Sequence, residues 1–272
     1  MPVTITCPAS WRARSMPPFD SNWRRARTRP DTSGRRQLLP ATWTSADGLC
    51  YERWTGRRAV KRTRYIVVEG PIGVGKTSLV RLLAEEFHGR AVLERVDDNP
   101  FLRRFYDDPE KYAFPAQLFF LLTRYRQQQE LAQQDLFRQN LVSDYLFAKD
   151  HLFAQVNLDA DEFALYRQLF SLLGARIPKP DLVVYLQARL DVLLARLRKR
   201  AREYERHVTP EYVQRVAEAY KDYFFHYDDT PLLVVNCSEI DFVEHSEHTA
   251  DLIREIRGMG QGVQHYIPLG SR

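Results

Sequence analysis

The segment GPIGVGKT at residues 70–77 has the residue types and spacing of a loop that binds phosphate. Its glycines let the backbone curl so that N–H groups point inward at an anion. These glycines are Gly70, Gly73 and Gly75. Lys76 then reaches the outer phosphates of a nucleotide, and the Thr77 hydroxyl can serve as a ligand for Mg²⁺. The chemistry that this segment predicts is the binding of a nucleoside triphosphate.

The residues on both sides of the loop favour the same interpretation. An apolar run at 65–68 precedes it, and an amphipathic stretch at 78–87 follows it, which predicts a strand, a turn and a helix. The N-terminal end of that helix, at Ser78, adds a positive potential that favours phosphate. A glycine-rich turn that matches by chance would need neither flank.

Beyond this unit, short apolar runs alternate with helical patterns. The predicted strands are 65–69, 91–94, 140–144, 182–186 and 232–236, and the main predicted helices are 78–87, 115–135, 160–173, 190–202, 211–227 and 245–257. This alternation predicts an α/β fold of the three-layer P-loop NTPase type. It would have a five-stranded parallel sheet, helices on both faces and an arginine-rich lid. Ligands of such sheets bind at the carboxyl ends of the strands.

Charge is distributed unevenly along the 272 residues. Residues 1–62 hold 12 arginines and one lysine against four acidic residues, a net charge of +9, whereas the remainder carries −4. We predict that 1–62 is a disordered basic leader, with an organelle transit peptide or an over-extended gene start as the alternatives. A folded domain is expected at 63–258 and an irregular tail at 259–272. The mildly acidic domain gives no reason to expect a nucleic-acid partner.

Cysteine usage and hydropathy limit the setting of the protein. Cys7, Cys50 and Cys237 are scattered, which predicts neither a disulfide framework nor a zinc site and suits the cytoplasm. No apolar run approaches the about 20 residues of a membrane helix, so no membrane partner is expected.

Polar residues at the ends of later strands could form a second site. Glu94 ends the second strand, Asp144 ends the third, and Arg196, Arg200 and Arg202 follow the fourth. Taken singly, Glu94 suits an exposed loop carboxylate and Asp144 suits a helix N-cap. The arginines taken alone suit a solvated helix face. Beside a phosphate-binding loop, one carboxylate can accept a hydroxyl proton, another can hold Mg²⁺, and arginines can neutralise a phosphoryl group in transfer.

Five motifs in order resemble the deoxynucleoside kinases, above all the bacterial deoxyadenosine/deoxyguanosine kinases and more distantly deoxycytidine kinase. The first four are GPIGVGKTS, the long segment at 93–127, SDYLFAKDHLFA and RLRKRAREYE. The fifth, NCSEIDFV, resembles the segment near the adenine of ATP and contains Asp241 and Phe242. Together they cover nearly 200 residues, from about Arg64 to Arg257, and are far more specific than the phosphate loop alone.

The resemblance implies roles for individual residues. Glu94 would be the general base for the 5′-hydroxyl of the nucleoside and, with Thr77 and Asp144, one of the residues near Mg²⁺. Tyr106 and Glu205 would bind the 3′-hydroxyl. The residues implied at the base are Gln117 at its edge and the charged pair Arg124 and Asp150 beneath it. Arg200 and Arg202 would bind the donor phosphates, with Arg196 behind them.

One position departs from the family pattern. Many members carry arginine after the acid of strand three, whereas here Tyr145 follows Asp144. Some bacterial purine deoxynucleoside kinases share this Asp-Tyr pair, and Lys149 is a candidate substitute for the arginine. A shift of one residue in the comparison would place Lys149, instead of Asp150, at the base.

The resemblance implies transfer of the γ-phosphoryl group of ATP, with Mg²⁺, to a purine deoxynucleoside in nucleotide salvage, by a homodimer associated through helices. A deoxycytidine or broad-specificity kinase is the nearest alternative. A thymidylate-type kinase would need cations for the phosphate of its acceptor, whereas Glu94 suits a neutral hydroxyl. A nucleotide-binding regulator whose basic leader binds nucleic acid would need neither Glu94 nor the lid arginines.

Overall fold

The structure is a computed structural model, and it describes residues 65–133, 140–174, 177–240, 242 and 246–268. The predicted leader at 1–62 lies outside the described residues, and so does Asp241. The expectations for these parts of the chain therefore stay predictions.

The described chain forms a parallel sheet of six strands with helices on both faces. The strands are β1 (Tyr65–Glu69), β2 (Arg90–Val92), β3 (Leu141–Ser143), β4 (Leu182–Gln187), β5 (Leu232–Asn236) and β6 (Val263–Tyr266), in the order β2-β3-β1-β4-β5-β6. The helices are α1 (Lys76–Glu86), α2 (Leu102–Asp107), α3 (Pro109–Gln133), α4 (Ala148–Asn157), α5 (Ala160–Gly174), α6 (Leu190–Arg200), α7 (Pro210–Phe225) and α8 (Ser246–Gly258). The predicted α/β architecture is confirmed.

Strand β1 shows why the sheet needs cover on both faces. All five of its residues are buried, and successive side chains point to opposite sides. Ile66 and Val68 pack in a cluster with apolar residues of α1, α6 and α8. Tyr65 and Val67 pack in a second cluster with residues of α3, α4 and α7. Burial on both faces makes the strand a continuous apolar run, as expected for a parallel sheet.

The sheet has one strand more than the five that were predicted. β6 pairs in parallel with β5, with Leu232 opposite Val263, and lies in the 259–272 segment that was predicted to be irregular. Its first three residues are exposed, so the segment lacks the buried apolar pattern by which the other strands are recognised. Backbone pairing with β5 forms this edge strand, and such pairing leaves little trace in sequence.

Helices α3 and α4 also differ from expectation, as does the short α2, which was not predicted. α3 begins at Pro109 instead of residue 115, and Pro115 lies inside it. Proline is common in a first helical turn, so the pattern favoured a start there, although tertiary packing carries the helix through. The helix α4 was not predicted, because its ten residues AKDHLFAQVN mix buried apolar, buried charged and partly buried positions.

The phosphate-binding loop fits closely against its neighbours. A Cβ atom at Gly70, where φ is 152°, would lie 2.3 Å from the backbone oxygen of Leu186. At Gly73, with φ of 87°, it would lie 2.8 Å from the backbone oxygen of Leu193. Only glycine permits this approach together with these backbone angles, so the glycines place the loop between β4 and α6. Within the described parts of the chain, no helix is long and apolar enough to cross a bilayer.

Candidate active site

A cavity of about 690 Å³ opens where β1, β2 and β3 end. Most of the predicted site residues line it. They are Gly73, Gly75, Lys76, Thr77, Ser78, Glu94, Tyr106, Gln117, Arg124, Asp144, Arg196, Arg200, Arg202, Glu205 and Phe242. Gly70 and Asp150 lie directly behind this lining, at contact distance from Lys76 and Arg124 respectively. The fold thus gathers residues separated by more than 160 positions in the chain into one concave site.

Lys76 lies folded back on its own loop. Its Nζ donates to the backbone oxygens of Gly70 at 2.7 Å and Pro71 at 3.1 Å. Burial, reinforced by the positive charge of Lys149, lowers the pKa of Lys76 to about 8. The phosphates of an incoming nucleotide would provide a negative counter-charge for this ammonium group, so the arrangement favours anion binding.

Thr77 and Asp144 form an oxygen-rich pair beside the loop. Thr77 Oγ1 donates to Asp144 Oδ2 at 3.0 Å, and the backbone N–H of Glu94 donates to Asp144 Oδ1 at 2.7 Å. A hydroxyl and a carboxylate are the hard oxygen ligands that Mg²⁺ prefers, completed by water and substrate phosphates. The described residues contain no cluster of three or more His, Cys, Asp or Glu side chains that could hold a metal by themselves. The pair therefore fits a magnesium ion that arrives with a nucleotide.

Glu94 is held between two cations. Arg124 Nε donates to Glu94 Oε1 at 2.8 Å and its second guanidinium nitrogen contacts the same oxygen, while Lys149 Nζ donates to Oε2 at 2.7 Å. The three side chains are between 4% and 10% exposed. Burial alone would raise the pKa of Glu94, but the charges of Arg124 and Lys149 outweigh it and hold that pKa well below its usual range. Glu94 is therefore a carboxylate, and its oxygens contact these two cations rather than the Thr77 hydroxyl.

The charged pair predicted beneath the base is present and has further partners. The guanidinium of Arg124 contacts Asp150 Oδ1, and Asp150 is fully buried. Tyr166 Oη donates to Asp150 Oδ2 at 2.7 Å. Gln117 Nε2 donates to the backbone oxygen of Asp150 at 2.9 Å and to its Oδ1 at 3.0 Å. Since both amide hydrogens of Gln117 are used in this way, its Oε1 is the atom left to meet a ligand.

Two of the lid residues are paired with one another. Arg200 Nε donates to Glu205 Oε2 at 3.0 Å, so the residue implied at the donor phosphates holds the residue implied at the 3′-hydroxyl. Ala201, with φ of 50°, ends α6 and turns the chain toward the short 3₁₀ turn that carries Glu205. Ligand binding at both positions would have to exchange this ion pair for contacts with the substrates.

Arg196 has an architectural position at the cavity wall. Its guanidinium donates to the backbone oxygens of Val74 at 3.1 Å, Cys237 at 3.1 Å and Ile240 at 2.7 Å. It therefore joins the phosphate loop to the segment that leads to Phe242, whose ring packs on Gly75.

Tyr106 and Tyr145 occupy very different places. Tyr106 lines the cavity, with its ring edge-on to Tyr212 at 6.2 Å between centroids. Tyr145 is completely buried in the apolar cluster that contains Tyr65 and Val67. The side chain that follows the acid of strand three therefore contributes nothing to the cavity lining. Lys149, four residues farther along the chain, supplies the cation next to Glu94.

Two contributors were missed by sequence reasoning. Glu69 is 1% exposed and accepts hydrogen bonds from the N–H groups of Gly70 at 3.1 Å and Leu146 at 2.6 Å and from Tyr220 Oη at 3.0 Å. Burial raises its pKa. An acid at the end of a buried apolar strand was an available signal for it. Tyr166 gave no local signal, because its partner Asp150 comes from another helix.

Comparison with known proteins agrees with the five motifs. The family model described as deoxynucleoside kinase matches residues 66–259. Deoxyguanosine kinase of Lactobacillus johnsonii is 34% identical, over 70% of this chain and 90% of that protein. Deoxyadenosine kinase of Lactobacillus acidophilus is also 34% identical, over 70% of this chain and 94% of that protein.

A solved structure shows a similar fold. The structure of deoxyadenosine kinase from M. mycoides with bound dCTP matches with a TM-score of 0.62 at 22% identity, covering 71% of this chain and 98% of that one. At this level of identity the likeness extends to the fold, the P-loop NTPase arrangement of parallel sheet and flanking helices.

Proposed function

Because this chain belongs to the deoxynucleoside kinase family and is therefore a phosphotransferase acting on a nucleoside hydroxyl, we propose that it transfers the γ-phosphoryl group of ATP to the 5′-hydroxyl of a purine deoxynucleoside in nucleotide salvage. The observation that carries this proposal is the environment of Glu94. An ionised carboxylate lies between Arg124 and Lys149 in the same cavity as the phosphate loop. That arrangement suits deprotonation of a neutral hydroxyl beside a polyphosphate.

In this proposal the protein acts by positioning and by charge. The phosphate loop and Lys76 hold the donor, while Arg200 and Arg202 turn from the lid toward the phosphoryl group. Glu94 receives the hydroxyl proton as the oxygen attacks in line. Such transfer needs no covalent enzyme intermediate, and the described cavity offers the cations required. Mg²⁺, held by Thr77 and Asp144 together with the nucleotide, would neutralise phosphate charge.

The low pKa of Glu94 has a consequence for this mechanism. A carboxylate stabilised by two cations is a weak base, so it gains basicity only when its contact with Arg124 loosens. Arg124 lines the cavity, so a bound acceptor can compete for its guanidinium while Lys149 keeps its contact with Oε2. We therefore propose that the base becomes competent when the acceptor is bound, which would limit wasteful reaction of ATP with water.

Support for a purine base comes from Gln117 and from the relatives. The free Oε1 of Gln117 is an acceptor that suits the amino group of adenine or the ring N–H of guanine. The relatives named above are deoxyguanosine and deoxyadenosine kinases. Cytosine also carries an amino group, so deoxycytidine is the natural comparison substrate.

The proposed enzyme is a homodimer that associates through helices. Leu165 and Leu172 lie seven residues apart on one side of α5 and are 49% and 77% exposed, which supports a helical contact surface. Sedimentation of the purified protein checks the oligomeric state. The cytoplasmic location that the cysteine pattern favours stays a prediction.

The experiment that tests the function measures ADP release from Mg·ATP. The acceptors are deoxyadenosine, deoxyguanosine, deoxycytidine, thymidine and dTMP, with an additional reaction that lacks any acceptor. We expect ADP release to depend on a purine deoxynucleoside and the product to be its 5′-monophosphate by mass spectrometry. Release with dTMP alone would indicate a monophosphate kinase, and equal release without acceptor would indicate an ATPase.

A further inference from the structure

The two carboxylate oxygens of Glu94 are not equivalent. Arg124 directs two nitrogens at Oε1, and Arg124 is itself fixed by the fully buried Asp150. Each carboxylate oxygen accepts about two hydrogen bonds, so this fork occupies Oε1. Among the described residues, Oε2 accepts a hydrogen bond from Lys149 alone, at 2.7 Å. Oε2 is therefore the oxygen with capacity left for a ligand in the cavity.

Lys149 is well placed to set the direction of that oxygen. It lies in the first turn of α4, with a side chain 6% exposed and its Nζ 5.8 Å from the centroid of the Phe153 ring one turn farther along. A buried stem against an aromatic ring restricts where the ammonium can be. An ammonium makes a compact single contact, whereas a guanidinium fork would take both lone pairs of the oxygen. Lysine at this position thus holds Oε2 while leaving it accessible.

We propose that Lys149 is a positioning residue whose ammonium aims Oε2 of Glu94 at the hydroxyl that receives the phosphoryl group. The inference rests on the proposed function, because it requires Glu94 to act on an acceptor hydroxyl. It differs from a role as a simple counter-charge. A counter-charge would affect folding and the binding of both substrates, whereas an aiming contact affects turnover and acts only through Glu94.

The test compares Lys149→Met, Lys149→Arg and Glu94→Gln with the double variant Lys149→Met/Glu94→Gln. Misplacing a reacting group by about 1 Å costs on the order of 100-fold. We therefore expect Lys149→Met to lower kcat roughly 10- to 100-fold, with KM for ATP and for the nucleoside within about threefold of wild type. Lys149→Arg keeps the charge, but its guanidinium fork would occupy Oε2, so its kcat should stay within about threefold of that of Lys149→Met. In the Glu94→Gln background, Lys149→Met should cost less than about twofold more.

Controls separate this inference from folding and from the proposed function. Lys221→Met removes an exposed lysine of α7 outside the cavity and should match wild type. Thermal melting identifies misfolding, and if Lys149→Met does not fold, Lys149→Gln carries the comparison with the same criteria. A wild-type protein without deoxynucleoside kinase activity would overturn both proposals.

Three results would overturn the inference alone, given an active wild type. The first is a wild-type kcat in Lys149→Met or its Gln replacement. The second is a Lys149→Arg variant with wild-type kcat, because the positive charge alone would then be sufficient. The third is a double variant whose loss equals the product of the two single losses, because Lys149 would then act independently of Glu94.

Discussion

Replacing Asp150 with alanine should both destabilise the protein and alter its choice of base. The carboxylate is fully buried and accepts hydrogen bonds from Arg124, Gln117 and Tyr166. Removing one member of a buried ion pair typically costs 3–5 kcal/mol. In the variant, Arg124 still contacts Glu94, and Gln117 still donates to the backbone oxygen of residue 150. These remaining contacts favour a loss at the lower end of that range. Tyr166, however, loses the acceptor of its hydroxyl, which adds about 1 kcal/mol or more.

We therefore expect the free energy of unfolding to fall by about 3–5 kcal/mol. In a domain of this size each kcal/mol corresponds to about 2–4 °C, so the melting temperature should fall by roughly 6–20 °C. Urea unfolding followed by circular dichroism measures the first quantity. Asp251→Ala is the matched control, because its contact with Arg254 at 2.7 Å is exposed and worth less than about 1 kcal/mol. A loss below about 1 kcal/mol in Asp150→Ala would refute the argument from burial.

The same substitution frees the amide of Gln117 to rotate. Its two hydrogens are then no longer both committed to residue 150, so the amide can present a donor as well as an acceptor to the base. We expect the ratio of kcat/KM between deoxyadenosine and deoxyguanosine to change by about tenfold, equivalent to about 1.4 kcal/mol, with ATP affinity within about threefold. Should only ATP affinity change, the assignment of base recognition to Arg124 and Asp150 would be wrong.

Three further predictions concern Lys76, Glu94 and the leader. The pKa of Lys76 is lowered to about 8, and only the ammonium form of Lys76 holds phosphate. Calorimetry should therefore show that a non-hydrolysable ATP analogue binds about tenfold more weakly at pH 9 than at pH 7. Binding above pH 8 should be accompanied by proton uptake. The Lys76→Met variant should bind the analogue weakly, with an affinity that is nearly independent of pH. Equal affinity of the wild-type protein at both pH values would contradict the reasoning. Glu94→Gln should lower kcat by roughly two to four orders of magnitude while nucleoside binding persists, and a variant within a few-fold of wild type would remove Glu94 from its role as base. A protein that begins at Val60 should fold and should match the turnover of the full-length protein. Trypsin should trim the full-length protein to about the same point. Both results are expected because residues 1–62 lack the apolar surface needed to offset the entropy of ordering. An inactive or insoluble short form would show that the leader packs on the domain.

Local chemistry made much of the fold readable from sequence. The bounds of β1 and β5 were predicted as observed, because each is a run of apolar residues that the sheet buries. The phosphate loop was equally clear, since the backbone angles at Gly70 and Gly73 demand glycine whatever surrounds them. Features that depend on pairing alone were not readable, as the exposed edge strand β6 shows.

The residue types of the site were also determined by sequence, but their partners were not. Glu94 contacts Arg124 and Lys149, which lie 30 and 55 positions away, and Asp150 contacts Tyr166 from a different helix. The sequence alone left open whether Lys149 or Asp150 lies at the base. The side chains of successive helix residues point about 100° apart. In the observed orientation of α4, Lys149 therefore contacts Glu94 and Asp150 contacts Arg124. That orientation comes from packing against α3, α5 and α7, and long-range packing of this kind is what a local pattern of residues does not encode.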